Sequence, residues 1–215
     1  MKEVYRKDYL GELVIKRIVI RNGKKERETD WVSNTIDVTH VSNKATCMAE
    51  SKLLKQSFYN QVANNSGGNL GKDKMQVYGV DSAWKYMEPD FLVTKDKGIL
   101  EAMIKCRYPS KCVVYTSSSN CIRYPGEFYN VPYGTLNNTQ ATAIWLACFD
   151  GHKEVYIVGY DHTNPKIVNS IESIIKAYKN VKFIHVTDTN SPHEWKRRLN
   201  FSALTKNQYV SHCDV

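Results

Sequence analysis

One stretch, Thr135 to His162 (TLNNTQATAIWLACFDGHKEVYIVGYDH), constrains the fold more than any other part of the chain. It reads as a polar loop, a helix rich in small and apolar residues, a Gly turn, a fully apolar strand, and a Gly-x-Asp at the carboxyl end of that strand. A strand without polar alternation is one buried on both faces, which is the condition of a parallel sheet covered by helices. In open α/β sheets, ligands bind outside the carboxyl ends of the strands and at helix N-termini. This single segment supplies both features and so points to a nucleotide-type crevice.

The rest of the chain repeats the pattern. TIDVTHVS (35–42) is predicted as the first strand and Ala45–Val62 as a helix. The strands MQVYGV, DFLVTKD, KCVVYTSS and VKFIHVTD follow, with helices GILEAMIKCRY and VNSIESIIKAY among them and a helix-like HEWKRRLNF near the end. Alternation of strands with helices of this length implies βαβ units and a mostly parallel sheet. The expectation is therefore an α/β, Rossmann-like three-layer domain over residues 34–215, preceded by a β-hairpin arm over residues 1–33. At 215 residues one well-buried domain fits and two would be cramped.

In the arm, ELVIKRIVIR is dense in β-branched residues, and Asn22-Gly23 sits where a tight hairpin turn needs positive φ. The return strand KKERETDWV is polar, and its charges limit edge-to-edge association. The arm reads first as an edge hairpin packed on the main sheet, and second as a means of assembly with a protein partner or another copy of the chain. The net charge of +8 is compatible with nucleic acid, anionic nucleotides or an acidic surface. No RNA-recognition motif, helix-turn-helix spacing or zinc finger accompanies it, which argues against nucleic acid as the partner. No apolar run is long enough to span a membrane, and the first residues lack the apolar core of a secretory signal. The six cysteines form no CxxC and no compact framework, so reduced thiols and a cytoplasmic location are expected.

Several local patterns bear on chemistry. Ser66-Gly67-Gly68-Asn69-Leu70-Gly71-Lys72 resembles a phosphate-binding loop, but the first Gly and the final Ser or Thr are missing, and it reads as a plain loop. Asn138 and Thr139 precede the central helix, where they serve as caps or, with the free N–H groups, face a phosphate. Asp161 closes the strand VYIVGYD and suits a ribose or sugar hydroxyl; His162 beside it is a candidate general base. Asp81 and Asp96 also fall at strand ends, where turn chemistry outweighs a divalent-ion site. No nucleophile elbow is present, and no metal or cofactor is called for beyond a nucleotide-sugar donor.

Two segments carry a family resemblance: Gly151-His152-Lys153-Glu154-Val155-Tyr156-Ile157-Val158-Gly159-Tyr160-Asp161, and Pro89-Asp90-Phe91-Leu92-Val93. Together they resemble the bacterial lipooligosaccharide sialyltransferases and their relatives among flagellar motility accessory factors, over about residues 36–162. The compact form also resembles small proteins encoded by bacteriophages. The resemblance implies a Rossmann-like fold, a nucleotide-sugar donor, and glycosyl transfer without a metal. It places Asn43, Asp81, Asn138, Thr139 and Asp161 in the binding crevice. The family's catalytic His lies after the Gly-x-Asp strand, where only His162 and His193 stand here. The chain departs from the family in its first loop, where Ser42-Asn43-Lys44 lacks the glycines that admit a phosphate. It departs again at Asp81, where the family has Asn, and in lacking the lid segment. A non-catalytic interaction or virion-assembly protein retaining the fold is the alternative expectation.

Overall fold

The computed structural model describes residues 1–9, 13–32, 42–51, 54–65, 75–134 and 137–213. The expected strand over Thr35–Val41 and the loop Ser66–Lys72 lie outside these residues.

Two sheets are present. The strands β1 (Leu13–Arg21) and β2 (Lys24–Val32) form an antiparallel ribbon through a turn in which Asn22 and Gly23 have φ of 52° and 75°. Both values are positive, as a type I′ hairpin turn demands. The ribbon strands pair with each other and with no strand of the larger sheet, so the hairpin is not an edge of that sheet. Residues ahead of the ribbon belong to the core packing: Val4, Tyr5 and Tyr9 lie against it, and the Tyr178 hydroxyl donates to the Val4 carbonyl at 2.7 Å.

The larger sheet has eight strands, all parallel. In chain order they are β3 (Lys44–Ala49), β4 (Gln76–Val80), β5 (Phe91–Val93), β6 (Val113–Thr116), β7 (Tyr129–Asn130), β8 (Glu154–Val158), β9 (Lys182–Val186) and β10 (Phe201–Leu204). Their spatial order is β10-β9-β8-β3-β4-β5-β6-β7. The chain starts in the middle with β3, builds outward to β7, returns to the other side of β3 with β8, and builds outward again. Right-handed crossovers then assign the helices to opposite faces of the sheet. One face carries α1 (Gln56–Asn65), α2 (Lys97–Lys105) and the terminal α7 (Lys206–Cys213), and the short α3 (Ser118–Arg123) packs with α2. The other carries α4 (Thr139–Phe149), α5 (Pro165–Ala177) and α6 (His193–Lys196). The fold is the expected Rossmann-like three-layer α/β domain, and no helix among the described residues is long and apolar enough to cross a membrane.

Helix α4 is buried almost all round, because it spans the middle of the sheet and is itself covered by α5 and the N-terminal segment. Its apolar composition follows from that position. At its far end Asp150 is buried and accepts from the Arg6 guanidinium and, at 2.6 Å, from the Tyr78 hydroxyl; Arg6 also donates to Tyr115 at 2.9 Å. The N-terminal segment is thereby tied to the sheet by a desolvated ion pair.

One expectation is corrected here. Ala45–Ala49 is strand, not the start of a helix, and helix begins only at Gln56. Ala45, Cys47 and Ala49 join the core under α4, while Met48 joins the core under α1, and Thr46 bonds Tyr209 of α7 on that same side at 2.6 Å. A strand buried on both faces shows no period of two, and its small residues are compatible with either state. The tail differs too. Where HEWKRRLNF reads as helix, helix covers only His193–Lys196, and Phe201–Leu204 adds a parallel edge strand.

Candidate functional site at the carboxyl edge

Strands β3 and β8 are neighbours, yet the chain leaves β3 toward β4 and leaves β8 toward β9. That is the topological switch point, where the connections diverge and a crevice opens. Gly159 closes its floor. Its φ is +74°, and an added Cβ would lie 2.4 Å from the Ala49 carbonyl oxygen and 3.0 Å from Leu54 Cδ1. Only hydrogen fits between these two strand ends.

A cleft of about 210 Å³ opens beside this glycine, lined by Ser51, Leu54, His162, His185, Thr187 and Lys206 among others. His185 comes from the end of β9, is almost fully buried, and holds Ser191 Oγ at 2.8 Å through Nδ1. Burial, with His162 nearby, pulls its pKa down to about 4, so it is neutral at pH 7. The two imidazoles meet edge to face with centroids 5.6 Å apart. His162 Nδ1 is buried and has no hydrogen-bond partner among the described residues. The other imidazole nitrogen and the cleft are therefore what this side chain has to work with.

A second, open cleft of about 730 Å³ lies over the ends of β4 and β5, between the amino ends of α2 and α4. Asp81 is at its centre. It follows β4 with φ of +47°, a conformation that strains any residue with a side chain. Its carboxylate accepts from Thr94 Oγ1 at 2.9 Å and from Thr139 Oγ1 at 2.8 Å. Burial raises its pKa above the ordinary carboxylate value, and the two hydroxyls oppose that shift. Lys95 and Lys97 supply positive charge on the rim. Asp81 and Gly159 flank β3, about two strand spacings or roughly 10 Å apart. Thr139 Oγ1 is thus committed to Asp81, and Asn138 Oδ1 is committed to capping α4 through the Ala141 N–H at 3.1 Å.

Asp161 is exposed at the same edge. Its backbone N–H donates to Gln140 on α4, and its carboxylate accepts from the Thr163 hydroxyl at 2.6 Å and from the Thr163 N–H at 2.9 Å. These two bonds hold its pKa below the usual value and shape the turn that turns His162 back over the cleft. Asp96 likewise caps α2 through the Ile99 N–H. Among the described residues no three His, Cys, Asp or Glu side chains are grouped for a metal ion.

Two residues named from the sequence stand elsewhere. Asn43 precedes β3 and lies at the amino edge of the sheet, where its carbonyl accepts from the Lys153 and Glu154 N–H groups at 2.8 and 3.0 Å. Its assignment to the crevice rests on a first strand ending at Ser42; since β3 begins at Lys44, the loop that enters the crevice is the one at Ser51. His193 is exposed at the first position of α6 and is not among the residues lining the histidine cleft. Sequence reasoning missed His185, Thr94, Ser51 and Lys206. Only His185 left a signal, as the single polar residue in the apolar run Phe183-Ile184-His185-Val186.

The carboxyl edge thus brings together Asp81, Asn138, Thr139, Asp161 and His162, whereas Asn43 lies at the amino edge and His193 does not line the histidine cleft. Comparison of the chain with family models, with curated proteins and with solved structures returned no match.

Proposed function

We propose that the carboxyl edge binds a nucleotide or nucleotide-sugar, with glycosyl transfer as the reaction it is built to support. One observation carries the reading: the switch point between β3 and β8 opens into a cleft that ends in two histidines, and Gly159 seals its floor. A ligand spanning the roughly 10 Å from this cleft to Asp81 would place one end against His162 and its phosphates near Lys95, Lys97 and the amino end of α4. There His162 would take the proton of an acceptor hydroxyl, and neutral His185 would keep the imidazole in place without competing charge. The buried free thiols Cys47, Cys112, Cys121 and Cys148 support a reducing compartment such as the cytoplasm.

A second reading, a non-catalytic interaction protein that keeps the fold, has its own support. The Asp81 carboxylate already occupies the positive end of α4, where a phosphate would otherwise sit. A thermal-shift screen with nucleotides and nucleotide-sugars, the cytidine series included, separates the two. A ligand at 100 times its Kd stabilises the native state by about 2.7 kcal/mol. At this size that raises Tm by about 5–10 °C. The nucleotide reading requires such a shift with a selective ligand, reduced in His162→Gln and Thr139→Ala. No shift with any of them at millimolar concentration leaves the interaction protein.

A further inference from the structure

A cavity of about 280 Å³ opens between α4 and α5 and shares no lining residue with either carboxyl-edge cleft. Asn138, Thr142 and Trp145 line it from the α4 side, and Ser170, Ser173 and Ile174 from α5, at spacings of three and four residues that put each set on one helix face. Charged residues make up 24% of the chain, yet no Lys, Arg, Asp or Glu lines this cavity among the described residues. Its hydrogen-bonding groups are already sorted. On the α5 wall the Ser170 and Ser173 hydroxyls donate to the Lys166 and Asn169 carbonyls at 2.7 and 2.9 Å, so each leaves an oxygen that accepts. On the α4 wall Asn138 Oδ1 accepts from the Ala141 N–H, which leaves its Nδ2 hydrogens to donate. Trp145 is only 6% exposed, and neither its indole N–H nor Asn138 Nδ2 has an acceptor among the described residues. The Trp145 ring is stacked on Phe149 at 4.9 Å, which fixes it as a rigid apolar wall.

We propose that this cavity binds a single neutral sugar ring, a hexose. With donors on one wall and acceptors on the other, the ligand must accept and donate within a few ångströms, and hydroxyl groups do both. A carboxylate or phosphate would face the serine oxygens with no cation to offset its desolvation, which selects an uncharged ligand. The C–H face of the ring would lie on Trp145 and Ile174 while its hydroxyls reach Asn138, Ser170 and Ser173, the division between apolar walls and a few placed polar groups that ligand pockets show. Size agrees: such pockets run from about 300 to 1,000 Å³, and this one stands at the lower end, with room for one ring and not for a nucleotide. The site does not depend on the reading of the carboxyl edge, and each stands if the other fails.

Saturation-transfer difference NMR of the full chain, titrated with glucose, galactose and mannose, tests it. A Kd in the millimolar range is expected for at least one of them, as so few ligand atoms support no more. Ser173 is exposed, so Ser173→Ala leaves the fold intact and removes one acceptor; Trp145→Phe keeps a ring on Phe149 and removes one donor. Each lost hydrogen bond is expected to raise Kd by about 2- to 12-fold. Glucuronate, the same ring with a carboxylate added, is expected to bind more weakly than glucose, and His162→Gln is expected to leave hexose binding unchanged. No signal from any of the three hexoses at tens of millimolar would overturn the proposal. So would an unchanged Kd in either cavity variant, or glucuronate binding as tightly as glucose. A loss in His162→Gln in place of Ser173→Ala would move the sugar to the histidine cleft and overturn it as well. Cytidine that displaces the hexose and itself binds less well to Ser173→Ala would make the cavity a site for a base, which also overturns it.

Discussion

Gly159→Ala tests whether the switch point is as tightly closed as the geometry says. Two costs are expected. The first is conformational: with φ at +74°, an L-residue is disfavoured by about 1–2 kcal/mol. The second is steric. The new Cβ would stand 2.4 Å from the Ala49 carbonyl oxygen, a backbone atom at the end of a strand paired on both sides. Relief requires the ends of β3 and β8 to part, an overpacking cost of about 1–3 kcal/mol. Gly126 separates the terms. Its φ is +82°, and a Cβ there meets nothing within 4 Å, so Gly126→Ala carries the conformational cost alone. Urea unfolding of both variants, followed by circular dichroism, should place Gly159→Ala about 2–5 kcal/mol below the parent and Gly126→Ala about 1–2 kcal/mol below it. For a domain of this size a loss in the middle of the Gly159→Ala range is a Tm drop of about 10 °C. Equal losses in the two variants would refute the reasoning, since the strand ends would then separate without cost.

Arg6→Met removes a counter-charge of the buried Asp150, which should cost about 3–5 kcal/mol in urea unfolding; adding Asp150→Asn should restore part of it. His185 is neutral in the folded chain down to about pH 4, whereas the unfolded chain takes up the proton near 6.5. Its depressed pKa therefore adds nothing to the loss above pH 6.5, and stability falls as pH drops from 6.5 toward 4, by about 3 kcal/mol in all. Unfolding measured across that range should show a loss smaller by that amount in His185→Gln. Cys106 is exposed, while Cys47, Cys112, Cys121 and Cys148 are buried and burial raises the pKa of each of these four thiols. A thiol reagent under native conditions should modify Cys106 well before those four, as peptide mapping would reveal.

Where a segment's burial matched its pattern, the sequence was readable. Thr139–Phe149 and Glu154–Val158 are the helix and the strand expected within Thr135 to His162, because Asn138 is a helix cap and Gly151 a turn glycine with φ of +98°. The first strand was not readable for the opposite reason. Lys44–Ala49 is so central that both its faces are covered, and Ala45, Cys47 and Ala49 look as helical as they look extended. That one shift moved the crevice loop from Asn43 to Ser51. The edge strand Phe201–Leu204 was hidden in turn, because with its burial pattern half exposed it lacks the apolar run of its neighbours.

The candidate site divides along the same line. Asp81, Asp161 and His162 were found because strand ends can be located from the apolar runs before them, and the carboxyl ends of parallel strands share one edge whatever the strand order. Which of these groups meet depends on that order, and order is not written locally. Thr94 reaches Asp81 because β5 lies beside β4, and His185 reaches His162 because β9 lies beside β8.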